Sequence, residues 1–152
     1  MKVARQLSIA ILLSLCGGAL YGSYHMITDP TGNSLGLPFY LLNGTVFSDY
    51  AIIGWILLFT VGVFSAVTIF SIVQKLSIYS FLIMLQGVIL TIFIIMQMLL
   101  LGETFLIQYV FLAVGVGLIG LGALQNQRKI VVESERKINP APKSHHHKHR
   151  KR

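Results

Sequence analysis

The hydrophobic positions of this chain fall into four long runs, residues 6–27, 50–73, 78–101 and 105–125, parted by stretches that hold nearly all the charged and turn-forming residues. Each run reaches the roughly 20 residues that an α-helix needs to cross a hydrocarbon core about 30 Å thick. The pattern predicts an all-α fold, a polytopic membrane protein built as an antiparallel four-transmembrane-helix bundle over residues 1–127. Residues 128–152 are expected to form a basic, His-rich tail largely without fixed structure, in which residues 131–138 can extend the fourth helix a little, with Glu133 and Lys137 at ion-pair spacing, until Pro140 and Pro142 end it.

The interruptions set the connectivity. The longest, residues 29–49, opens with Asp29-Pro30-Thr31-Gly32, which places Asp, Pro and Gly where a type I turn uses them. An apolar segment at residues 35–42 follows, too short to span lipid. It is expected to lie along the membrane surface or tuck against the bundle. Asn43-Gly44 marks a second turn, and Ser48 and Asp49 offer cap side chains before the second helix. Gln74-Lys75-Leu76-Ser77 and Gly102-Glu103-Thr104 leave room only for tight turns, so the second and third helices should form a hairpin.

Composition agrees with this reading. Of 152 residues, 55% are hydrophobic and 11% charged, against about 25% charged in soluble domains. The length suits one domain. A single cysteine, Cys16, rules out an internal disulfide and the paired-thiol and zinc spacings. The net charge is +7, and every Lys and Arg lies at Lys2 and Arg5, at Lys75, or from Arg128 onward. By the positive-inside rule both termini and the Lys75 turn are expected in the cytoplasm, with the 29–49 loop and Glu103 on the outside. Lys2, Arg5 and the apolar residues after them also resemble a signal peptide. Leu15 stands where a lipoprotein signal wants a small residue before its cysteine, and the segment is read as a retained first helix.

Within the helices the polar and small residues are the candidates for function. Gln86 and Gln97 are eleven residues apart, about three turns, so they share one helix face. Such amides serve either as interhelical glue or as a polar wall for a small ligand. Small residues at helix-packing spacing recur as Ser14, Gly18 and Gly22, as Gly62 and Ala66, and as Ala113, Gly117 and Gly120. Each set is expected to face a neighbouring helix, in the same chain or in another subunit. His25 and Glu103 read as solvated groups at the helix ends, and the methionines as packing residues. Lys148, Arg150, Lys151 and Arg152 form a basic cluster suited to anionic lipids at roughly 1 kcal/mol per residue. Nucleic acid is disfavoured because no aromatic residues interleave that cluster.

Asp29-Pro30-Thr31-Gly32, Leu35-Gly36-Leu37-Pro38 and Phe47-Ser48-Asp49-Tyr50, preceded by Gly17-Gly18, resemble a group of small bacterial four-helix integral membrane proteins with an outer loop of this type. The resemblance spans the first half of the chain. It implies a multi-pass protein of the bacterial inner (plasma) membrane and carries no catalytic residue.

No nucleophile with a base, no paired carboxylates and no metal-ligand constellation occurs in the runs, so neither an enzyme nor a proton-coupled pump is expected. No cofactor or metal is expected either. Two functions remain. The one the sequence favours is a structural or accessory subunit that contacts the bilayer and other membrane components, whether a membrane protein partner or further copies of itself. The alternative is a binder or carrier of a small apolar or amphipathic molecule, held near Gln86 and Gln97 and covered by residues 37–42. A carrier needs a cavity of about 300 Å³ or more. An accessory protein needs a filled interior and an exposed small-residue face.

Overall fold

The computed structural model describes residues 2–101 and 104–138, and among these it contains helices and turns but no strand. Four helices are long and apolar enough to cross a membrane: α1 (Lys2–Thr28), α2 (Tyr50–Val73), α3 (Tyr79–Leu101) and α4 (Leu106–Ile138). The all-α four-helix bundle expected from the hydrophobic pattern is the fold observed. Two short 3-10 turns, Asn33–Leu35 and Phe39–Leu42, lie in the loop between α1 and α2. Below, the end of the bundle that carries this loop is the loop end, and the opposite end is the tail end.

Local chemistry explains where the helices start and stop. Asp49 caps α2 by accepting the Ala51 N–H at 3.0 Å, which satisfies one of the donors left free in a first helical turn. At its other end α2 closes through Leu76 N–H to the Ser71 carbonyl at 3.1 Å and Lys75 N–H to the Ile72 carbonyl at 3.2 Å. Lys75 occupies the left-handed region, φ 53°, at this C-terminal turn. Lys129 of α4 then fastens the turn, donating to the Ser77 carbonyl at 2.7 Å with its ammonium 3.6 Å from the centre of the Tyr79 ring. One turn inside α2, Leu58–Val63, is π-helical, with Phe64 N–H reaching back to the Phe59 carbonyl.

In lipid, burial of apolar surface does not drive helices together, so contact depends on close backbone approach and interhelical hydrogen bonds. The α3–α4 seam is built on close approach. A methyl group added at Gly87 would meet the Gly115 carbonyl oxygen at 2.6 Å, and one at Gly122 would meet the Met84 backbone nitrogen at 2.6 Å. The α1–α2 seam is built likewise. A methyl group at Gly54 would lie 2.8 Å from Met26 Cβ, Gly62 faces Ala19, and Gly22 faces Leu57. Gln125 of α4 joins the two seams at the tail end, donating to Ser8 Oγ of α1 at 3.1 Å. Leu12, Leu15, Val61, Ile72, Ile83, Leu90 and Leu118 fill the core between them.

Two expectations are sharpened. Helix α4 runs unbroken through residue 127 to Ile138, so the extension expected over residues 131–138 is present and takes in residues 128–130, leaving less of the tail without helix than the division at 127 implied. Its 33 residues measure about 50 Å at 1.5 Å per residue, more than the core of a bilayer. An exposed pair, Lys137 and Glu133, helps to continue it. Second, although α2 and α3 are joined by the tight turn expected, the closest packing is α1 on α2 and α3 on α4.

Candidate functional site

The loop is tied down by a few residues whose chemistry is local. The Asp29 carboxylate accepts from Thr31 Oγ1 and from the backbone N–H groups of Ser34 at 2.8 Å and Thr31 at 3.2 Å. These bonds, the Thr31 hydroxyl first, hold its carboxyl below the ordinary 3.8. Gly32 closes the first turn with its N–H on the Asp29 carbonyl, and adopts φ +80° where an added Cβ would strike the Tyr50 ring at 2.7 Å. Tyr50 is the anchor. It is buried, its N–H donates to the Pro30 carbonyl at 3.0 Å, and its hydroxyl donates to the Pro38 carbonyl at 2.8 Å. The apolar segment that follows is thereby laid over the bundle, with Leu41 and Leu42 buried and Phe39 and Tyr40 outward.

Beneath this cover lies a cavity of about 510 Å³ between the two helix pairs. Leu37, Leu41 and Phe47 of the loop form its roof, and Ile53, Ile89 and Phe93 are among the apolar side chains of its walls. Its polar residues are Thr45, Tyr50, Thr60, Gln97 and Gln108, and no charged residue lines it among the described residues. A second cavity of about 170 Å³ reaches toward Leu15 and Ala19 of α1. Phe93, Gln97, Ile107 and Gln108 belong to both, so two amides stand where the cavities adjoin.

Gln108 was not among the residues singled out by sequence. Its Oε1 accepts the Phe105 N–H at 2.9 Å, so it supplies the side-chain half of a capping box at the start of α4. The other half, a Ser or Thr at the cap position, is absent because Phe105 stands there, and the motif is therefore illegible in the sequence. Gln97 is half-buried, and its amide has no hydrogen-bond partner among the described residues.

Gln86 does not share this site. It is wholly buried and its Nε2 approaches the Thr60 carbonyl, in the π-turn of α2, at 3.5 Å. Its Oε1 has no partner. The shared face of α3 is real, but at Gln86 that face meets α2, whereas at Gln97 it meets the cavity.

The small-residue sets divide. Gly22 and Gly62 lie in the α1–α2 seam. Ser14, Gly18, Ala66, Ala113, Gly117 and Gly120 are exposed, and a methyl group added at Gly18, Gly117 or Gly120 would meet nothing within 4 Å. Packing of these six on another helix of the same chain is thus corrected: Leu15, Ala19 and Ser23 of α1, and Gly115, Leu118 and Gly122 of α4, point inward instead. His25 stacks edge-on against Tyr21 and Tyr24 at the loop end. Glu103 and the cluster of Lys148, Arg150, Lys151 and Arg152 lie outside the described residues. No protein family, curated protein or solved structure matches the chain.

Proposed function

We propose that this protein binds or carries an amphipathic, lipid-like molecule in the cavity beneath the 29–49 loop. The cavity itself supports this reading most: about 510 Å³ falls within the 300–1,000 Å³ typical of small-molecule sites, and apolar walls with a few polar groups suit an apolar body with one polar end. The absence of Lys and Arg from the loop supports an orientation with the loop on the outer side of the membrane, which we take to be a bacterial inner membrane, and both termini inside. The resemblance of the loop points to the same location. A cavity at the loop end then lies at the depth of the outer leaflet.

Native mass spectrometry of the protein released from its own membrane in mild detergent tests the reading. A discrete excess of a few hundred daltons, retained after bulk lipid is stripped, is expected. A bare mass, or a mass accounted for only by a co-released polypeptide, overturns it.

A structural or accessory role is the second reading, favoured by the outward small-residue faces of α1 and α4. Those faces suit another membrane protein or a further copy of the chain. The basic cluster from Lys148 to Arg152 suits anionic lipid at the cytoplasmic surface under either reading.

A further inference from the structure

The hydrogen-bonding state of Gln108 narrows what the cavity holds. A backbone N–H can only donate, so the side-chain atom 2.9 Å from Phe105 N must be the carbonyl oxygen of the Gln108 amide. The amide orientation is thereby fixed, and the NH₂ group is what remains to face the two cavities that Gln108 lines. Gln108 is only 5% exposed, and its NH₂ has no acceptor among the described residues. Gln97, on the same shared wall, is likewise without a partner. The Tyr50 hydroxyl, by contrast, has spent its proton on Pro38. The wall therefore offers the Gln108 donor, with the Gln97 amide beside it, in an apolar chamber where no charged side chain among the described residues stands to receive an ionic head group.

Resting on the reading of the cavity as a ligand site, we propose that its ligand is an uncharged lipid whose carbonyl oxygen accepts from the Gln108 amide, with Gln97 beside it, while its hydrocarbon fills the space under Leu37 and Leu41. An ester carbonyl of a neutral acyl lipid and a ring carbonyl of an isoprenoid quinone share this chemistry. A phosphate head group drawn into the chamber is disfavoured, since its charge would be desolvated with no cation among the described lining residues. Gln108 is the specificity-determining residue: its NH₂ is open to the cavity, and a ligand that covers it without supplying an acceptor leaves that donor unpaired at a cost in free energy, so such a ligand is disfavoured.

The test uses the full-length protein, delipidated in detergent and titrated with four probes: a diacylglycerol, its dialkyl ether analogue of equal chain length, an isoprenoid quinone and a phosphatidic acid. Bound fractions are read by native mass spectrometry. The diacylglycerol, the quinone or both should bind about tenfold more tightly than the ether, equivalent to 1.4 kcal/mol, and whichever binds names the source of the carbonyl. In Gln108→Leu that preference should fall to about unity while ether binding persists, and the persisting ether binding shows that the variant is folded. Equal affinity of the native protein for ester, quinone and ether, or preference for phosphatidic acid, overturns the carbonyl proposal and leaves the cavity reading standing. Failure of all four probes to bind removes both.

Discussion

Gln86 and Gln97 look equivalent in sequence and occupy opposite situations in the fold. Gln86 is sealed against α2 with one weak contact at the limit of hydrogen-bond length and a carbonyl oxygen left over. Replacing it by Leu removes an unpaired buried group, so Gln86→Leu should leave the unfolding temperature in detergent unchanged or raise it, and leave any bound mass in place. Loss of that mass would put Gln86 back into the site. Periodicity showed that the two glutamines share a face. It could not show that α2 meets one of them and leaves space beside the other. Asp29 permits a prediction from pH. Its folded carboxyl titrates below its ordinary value, so its contribution to holding the loop is complete above the ordinary value and is lost as pH falls through the lowered one. The protection of residues 29–36 against hydrogen exchange, taken relative to the intrinsic rate at each pH, should hold down to about pH 4 and fall below it, and Asp29→Ala should lack it throughout. A loop equally protected in native protein and variant would refute the assignment.

At the scale of elements, the helices were legible because lipid demands about twenty apolar residues per crossing, and the caps because Asp49 and the loop glycines have few other uses. The seams were legible only in part: Gly22 and Gly62 pack between α1 and α2 as their spacing suggests, but the inward face of α4 could not be told from the outward one. Helix α4 carries Gly115, Gly117, Gly120 and Gly122, two interleaved sets on different faces. In water, polarity would reveal the outward set, but in a membrane both faces are apolar. The fold selects Gly115 and Gly122 for the α3–α4 seam. Gly122→Ala should therefore destabilise by about 1–3 kcal/mol, whereas Gly120→Ala should be neutral or stabilising by up to about 1 kcal/mol in the monomer. Thermal unfolding of the two variants in one detergent decides this. If Gly120→Ala instead lowers stability and breaks up an oligomer, the outward stripe is an interface and the accessory reading gains. Lys75, in a left-handed turn that usually takes Gly, makes a similar test: Lys75→Gly should stabilise by roughly 1 kcal/mol by removing a Cβ clash.

For the whole molecule, two tight helix pairs joined by sparser contacts leave space between the pairs, and the tied loop covers it. The sequence located the cover at residues 37–42 and one wall at Gln97, yet favoured a filled bundle, because a void between helices has no signature in composition. Orientation is open to direct measurement. With Cys16→Ser as background, a cysteine at Ser34 should react with an impermeant maleimide on intact cells, and one at Ser134 only after permeabilisation. The reverse pattern would move the cavity to the inner leaflet. The central claim, that the space under the loop holds a molecule, meets its most direct test in Ile89→Trp, which fills the cavity from the α3 side. Native mass spectrometry of this variant beside the unsubstituted protein, both released from the same membrane, should show the discrete added mass on the unsubstituted protein and its loss from a variant that still unfolds cooperatively. The same added mass on both would place the molecule elsewhere and contradict the account.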